Sequence, residues 1–455
     1  MDSLKQYIDL YRDHADDLRT GAAALDDARP EALKALERAA GEKGPRAPYA
    51  ECSVERMLAP DYGVNIRRFN FDPNLAATFR CGVPNISTLL GVTVNDAFRP
   101  TENLLRQLPE GATVCSLAEA GRKHPELLVE YYNGLAAAGK APEVALNTLL
   151  AQDGVLVHIA DGVQLEKPIQ IVNIFNAPTP LLAVRRLLVV MGKGAYARIL
   201  LCDHTQRRDV DYLSDEVQEI YCGEGSHLEI YSIEESSDRT GRMLNLFARQ
   251  EAASHLTVCS GALSGGVGTA NYSIDLAGRH AETHLGGLCI ADGKQVQGAN
   301  VVLRHLAPEC SSRQLFKYAL FGEARGAFGG KIVVAEGAVG TDAAQTNRNL
   351  LASEAARMAS APQLEIYCDD VKCSHGATTG QLDAAALFYM QTRGIPAAEA
   401  RLMLTQAFMS DVIDSVGYDL IRDRLRQLVE KRLGGEHATC ATCSASAEVD
   451  KSCRQ

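Results

Sequence analysis

The spacing of apolar positions divides the chain into three stretches. Over residues 1 to about 150 they recur every three or four places, in SLKQYIDLYRDHADDL, RPEALKALERAA and HPELLVEYYNGLAAAG. That is the period of helices with one buried face. Pro30 and Pro125 stand where the second and third helices would begin, the first turn being where proline is tolerated. Residues 47–100, broken by Pro60, Pro73 and Pro84, show no readable period.

From DGVLVHIADGVQLEKPIQIVNIF, starting at Asp153, to about residue 375, short β-branched runs alternate with glycine-bearing turns. No helical pattern interrupts them, which excludes a βαβ sheet because its parallel strands need helical crossovers. A sandwich, a barrel or a solenoid remains. The turns favour the solenoid. GKGAYARIL (192–200), GEGSHLEIY (223–231), GRHAETHLG (278–286) and GEARGAFGG (322–330) share a glycine, a small residue and a following apolar step. Their spacing fits rungs of roughly 20 to 30 residues. Such a stack has two open ends that need covering, and helical domains on both sides would serve.

After Gly376 the helical period returns. GQLDAAALFYMQTRG ends on Gly394, and Pro396 opens IPAAEARLMLTQAFMSDVIDSV, with Leu404, Ala407, Phe408, Asp411 and Val412 on one side. YDLIRDRLRQLVEKRL carries Ile421, Leu425, Leu428 and Val429 as a stripe. The predicted organisation is a helical domain over 1–152, a β-solenoid over 153–376, a second helical domain over 377–434 and a disordered tail over 435–455.

Composition narrows the class. The formal charge of −11 argues against a general nucleic-acid binder. The charged, helical start and the absence of a long uncharged apolar run predict neither a leader nor a membrane span, so the cytosol is the expected compartment. Thirteen scattered cysteines, an odd number, predict reduced and mostly buried thiols rather than a disulfide framework. No G-x-x-x-x-G-K-[ST] occurs, and neither GKGAYA nor GGVGTA follows a strand and opens a helix. No ATP hydrolysis is expected of this chain.

The candidate chemistry centres on EIYCDDVKCSHGATTG (365–380), where Cys368, Cys373 and His375 cluster. Thiolate and imidazole suit iron and iron–sulfur clusters. Cys373 and His375, two apart, would share a strand face, and Cys368 would lie on the opposite one. One cysteine and one histidine are too few for a cluster, and proximity alone does not make a Cys–His nucleophile. CATC (440–443) with Cys453 is a possible metal or redox pair, short of a closed zinc site. His280 and His284, in a strand-and-turn context, lie about 13 Å apart, too far to share an ion. With Cys289 and His305 they could line one face of a solenoid.

The stretch GTDAAQTNRNLL…LEIYCDDVKCSHGAT…LFYMQTRGI resembles the SufB/SufD family of SUF iron–sulfur cluster assembly scaffolds, and the likeness spans about 140–430. It implies a right-handed parallel β-helix capped by N- and C-terminal helical domains. Where SufB-like chains carry a functional cysteine and a glutamate, this one has Ser353 and Gly376. The chain is thus most like the SufD side. The resemblance implies a non-catalytic scaffold that pairs with a SufB-like subunit through the C-terminal end of the β-helix. There His375, with Cys373 as a lesser candidate, would contribute to a transient Fe–S or iron site shared with that partner. It also implies a SufC-like ABC ATPase bound through the C-terminal helices, and a homodimer when the chain is alone. Phe408, Met409, Val412 and Ile413 span a wider arc than one helix seam needs, so they are the expected partner surface. A β-helix carbohydrate-active enzyme and a thiol redox protein are the alternatives.

Overall fold

A computed structural model describes residues 2–42, 47–68 and 87–435. Its helices are α1 (Lys5–His14), α2 (Ala23–Gly41), α3 (Val54–Met57), α4 (Glu102–Gln107), α5 (Leu117–Lys123), α6 (Pro125–Tyr131), α7 (Pro142–Leu150), α8 (Ala384–Thr392), α9 (Ala397–Asp414) and α10 (Asp419–Leu433). The first strands are β1 (Gly63–Val64), β2 (Leu89–Val94), β3 (Ala97–Pro100) and β4 (Ala112–Ser116). Then follow β5 (Val155–Ile159), β6 (Ile169–Phe175), β7 (Leu181–Met191), β8 (Tyr196–Thr205), β9 (Tyr212–Cys222), β10 (His227–Glu235), β11 (Thr240–Gln250) and β12 (His255–Ala262). The last eight are β13 (Val267–Leu276), β14 (Glu282–Ala291), β15 (Val296–His305), β16 (Ser311–Leu320), β17 (Arg325–Val334), β18 (Asp342–Leu351), β19 (Arg357–Ile366) and β20 (Lys372–Gly380).

Odd strands from β5 to β19 form one sheet and even strands from β6 to β20 the other, every neighbouring pair parallel and in register. The chain therefore climbs a parallel β-solenoid, alternating between two facing sheets. Period-two positions such as Ile199, Ile230, Val258 and Leu285 fill its lumen. Where helices also cover the outside, the strand is buried on both faces, as in LLAVRRLLVVM of β7, apolar apart from Arg185 and Arg186.

One corner of each rung from β5–β6 to β17–β18 holds a left-handed residue: Gly162, Gly194, Gly225, Ala253, His280, Glu309 and Gly340 in turn. They recur roughly every thirty residues and bond to one another's turns, as Gly194 N–H does to the Glu224 carbonyl at 2.8 Å. Three of the four turns picked out in the sequence sit here. GEARGAFGG belongs to the opposite corner, which explains its odd spacing.

The solenoid starts earlier than Asp153. Hairpin β2–β3 joins the second sheet and antiparallel β4 ends the first, while Phe98, Leu104 of α4 and Val114 plug the lumen. Pro30 lies inside α2 rather than at its start. The buried Arg29 beside it donates to the carbonyls of Leu18, Leu149 and Ala151 at 2.7–2.8 Å, holding α2 against α7 and its C-terminal end.

The C-terminal helices lie along the outer face of the second sheet. Met409, Val412, Ile413 and Val416 of the α9 region, with Ile421, Leu425 and Val429 of α10, pack on Tyr231, Cys259, Leu288 and Ile290. At about 1.5–3 kcal/mol per large apolar side chain, this burial holds the helices to the solenoid. It corrects the expectation of an exposed partner surface. Met409 and Val412 are fully buried, Ile413 nearly so, and Phe408 is half-buried against the same cluster. Ala407 and Asp411 face solvent, so the α9 stripe runs through 405, 409, 412 and 413. The tail from residue 436, with its CATC pair, lies outside the described residues.

Candidate functional site

The stack stops at β19 and β20. Each has a strand neighbour on one side only, so the other edge of each carries no ladder partner. Nearly all of β20 is exposed, and exposed Ile366 and Tyr367 follow at the end of β19. This end, unlike the plugged N-terminal one, is open.

Register places Cys373 beside Ala343 and His375 beside Gln345, so both belong to lumen-facing rows. The row that ends in His375 reads Ile199, Ile230, Val258, Leu285, Gln314, Gln345, His375. Four apolar rungs give way to two buried amides and then an exposed imidazole. Gln345 Nε2 donates to Gln314 Oε1 at 3.0 Å, leaving Gln345 Oε1 and Gln314 Nε2 without partners. Beside them Asn347 and Asn349 bond to each other, Ser360 Oγ donates to Asn347 Oδ1 at 2.8 Å, and Asn349 Nδ2 reaches Thr379 Oγ1 at 3.2 Å. The lumen mouth is thus a lattice of amides and hydroxyls that ends on His375.

Cys373 is half-buried against Ile332, Val334, Ala338 and Ala343, and burial pushes its thiol pKa up, away from the thiolate that binds metal. Cys368 packs on the same cluster. The expected opposite-face placement fails because a turn separates the two cysteines. Among the described residues no three His, Cys, Asp or Glu side chains converge as metal ligands. His375 and Cys373 therefore do not make a complete cluster site within this chain.

The TNRN motif explains itself here: Asn347 and Asn349 build the mouth, and Arg348 pairs outward with Asp411 at 3.3 Å. Ser353 Oγ accepts from the Gly322 N–H at 2.9 Å, a turn-capping role. A Cβ at Gly376 would meet nothing within 4 Å, so a side chain would fit there.

The other singled-out residues disperse. His280 holds a corner with φ of 62° and pairs with Glu309 at 3.0 Å. His284 faces out, while Cys289 packs in the lumen core and His305 is buried with its Nε2 2.9 Å from Ser312 Oγ. They line no common face. Seven of the nine described cysteines are buried and all are free; burial pushes the thiols of Cys52, Cys115, Cys222, Cys259 and Cys289 up to about 12. The sequence reading missed the polar mouth, although TDAAQTNRNLL alternates its amides at the strand period. It placed helix α8 but missed that this helix buries none of its residues and exposes Phe388 and Tyr389, close in sequence to exposed Met403.

Comparison with known proteins agrees with this architecture. Residues 174–408 match the SufBD core domain of the SUF iron–sulfur cluster assembly system, and 1–171 match the SufBD protein N-terminal region. An iron–sulfur cluster assembly SufBD family protein of Synechocystis is 30% identical over 349 residues, 75% of this chain and 77% of the relative. The chain belongs to the SufB/SufD family. SufD of Escherichia coli is 36% identical over 173 residues, covering 38% of this chain and 41% of that protein. SufD of Bacillus subtilis is 23% identical over 332 residues, covering 71% and 74%. This SufD-like chain is thus an Fe–S cluster assembly protein. No described helix is long and apolar enough to cross a membrane.

Proposed function

We propose that this SufD-like chain is the non-catalytic scaffold subunit of a cytoplasmic SufBCD-type complex. Its open solenoid end pairs with the equivalent end of a SufB-like subunit, and His375 supplies one ligand to a nascent cluster whose thiolate and carboxylate ligands come from that partner. The cluster is cargo, built at the shared site and passed on. The observation that carries this reading is the open polar mouth with His375 exposed on its last strand. Edge strands without a neighbour are covered in stable proteins, and a second solenoid end supplies the matching backbone groups. The orphaned amide atoms of Gln314 and Gln345 are further positions that a partner or water would satisfy. Alone, the same edge favours a homodimer.

The ATPase that drives assembly docks on the C-terminal helices. The surface that remains after α9 and α10 cover their own sheet includes Phe388, Tyr389 and Met403, which are 67%, 58% and 44% exposed. Aromatic and Met side chains of this kind are typical of interface centres.

The test is anaerobic reconstitution of the complex with iron and sulfide, comparing wild type with His375→Ala. The variant should assemble normally, since the His375 side chain is exposed, while cluster yield falls. An unchanged yield removes His375 from the site. Failure of a chain truncated before β19 to lose the SufB-like partner would overturn the docking assignment.

A further inference from the structure

Far from the mouth, the outer face of the second sheet carries a row of rings. Tyr196, His227, His255 and Glu282 occupy the same register position on β8, β10, β12 and β14. Tyr196 packs edge-on to His227 at 5.2 Å between ring centroids, and the two imidazoles lie 5.6 Å apart, tilted by 32°. Each imidazole has a carboxylate at one nitrogen. His255 Nδ1 is 3.1 Å from Glu282 Oε2, and His227 Nε2 is 3.5 Å from Glu229 Oε1. The Glu282 carboxylate at His255 Nδ1 favours the proton there and leaves the lone pair on His255 Nε2.

This is the arrangement that orients imidazole ligands in metal centres, where the outer carboxylate fixes the tautomer and raises ligand basicity. The surroundings allow a cation. Glu229 is itself held by Tyr196 Oη at 3.1 Å, Arg198 Nε at 3.2 Å and Tyr231 Oη at 2.7 Å. The nearby Arg313 is paired with Asp342 at 2.8 Å. Both histidine side chains are 44% exposed, so an ion can reach them from solvent. Two imidazoles are the protein's ligands here, and water would complete the shell.

We propose that His227 and His255, backed by Glu229 and Glu282, bind a divalent first-row transition-metal ion on the outer face of the solenoid. Imidazole pairs suit Zn²⁺, Fe²⁺, Co²⁺, Ni²⁺ and Cu²⁺. The site is about 19 Å along the stack from the strand of His375, four rungs at the usual strand spacing, and does not depend on the proposed assembly role.

The experiment uses the full, tag-free chain with Cys440→Ser, Cys443→Ser and Cys453→Ser, so that tail thiols do not compete. Zn²⁺ titrated by calorimetry should bind at one per chain. Either His227→Gln or His255→Gln should weaken binding at least tenfold, and Glu282→Gln about tenfold, the usual cost of losing an outer-shell carboxylate. His280→Gln should leave it unchanged. Cu²⁺ at substoichiometric loading should show two imidazole nitrogens by pulsed EPR, and one in each single variant. No Zn²⁺ uptake, or equal uptake by the His227→Gln/His255→Gln double variant, overturns the proposal. Glu282→Gln keeps the test decisive if a histidine variant misfolds.

Discussion

Lys317 gives the most discriminating test of how the C-terminal helices are held. It sits on the outer face of β16 beneath α9, with only 2% of its side chain exposed. Its Nζ donates to the Phe408 carbonyl at 2.6 Å and to Asp411 Oδ2 at 2.5 Å, and lies 4.8 Å from the centre of the Phe408 ring. Asp411 is half-exposed and also receives Arg348. The ammonium is desolvated, and its counter-ion is not. Removing one member of a fully buried pair costs about 3–5 kcal/mol, because the other charge is stranded. Water can replace half-exposed Asp411 in part, so Asp411→Ala should cost ~2 kcal/mol. Lys317→Met removes the charge and keeps the packed stem. It forfeits the bond to the Phe408 carbonyl, about 1 kcal/mol, and nothing else is left unpaired. In the Lys317→Met background, Asp411→Ala should then be close to neutral, a coupling of ~1.5–2 kcal/mol. Hydrogen exchange over 397–433 reads this locally, since ~2 kcal/mol is roughly a thirtyfold faster opening. If Lys317→Met costs as much as Asp411→Ala, or the two losses add, the stranded-charge argument is wrong.

Two further outcomes are expected. Gly278→Ala should cost about 3 kcal/mol or more in thermal or urea unfolding, because a Cβ there would lie 2.0 Å from Ala252 N, and neither backbone can yield in an overpacked turn; wild-type stability would refute the close approach. Burial lowers the pKa of His305 to about 4, below its ordinary 6.5, so the native state binds fewer protons than the unfolded chain between those values. Its contribution is therefore complete above pH 6.5 and is lost as pH falls toward 4, at most ~3 kcal/mol from 1.4 kcal/mol per unit. His305→Gln should flatten that acid limb in pH-dependent unfolding, and an unchanged slope would show that the ring is not buried neutral.

The sequence revealed some features because they depend on local chemistry. Period-two runs and glycine corners predict a stacked coil wherever strand follows strand, and the ends of α8 at Gly394 and of α9 at Pro396 follow from backbone rules. Features set by neighbours were not legible. Leu404, Ala407 and Asp411 obey a helical period as well as Thr405, Met409 and Val412 do; only the position of the second sheet decides which set is buried. Hairpin β2–β3 escaped notice because strands of six and four residues, ending on Pro100, lack the length to show alternation. His375 was found by likeness, but its place at the end of a row that turns from aliphatic to amide needs the register across seven rungs. The paired cysteines 368 and 373 were set on opposite faces by assuming one unbroken strand, and the turn between them brings both to one cluster.

The two ends of the solenoid differ, and the difference limits how large an assembly can grow. A coil of parallel strands exposed at both termini would accept a copy at each, and copies would add head to tail into a fibre without limit. Here Phe98, Leu104 and Val114 stopper one terminus behind antiparallel strands, so addition can occur at only one face. Two such molecules, whether alike or sisters, would consume each other's growing edge, and polymerisation by this route would stop at the dimer.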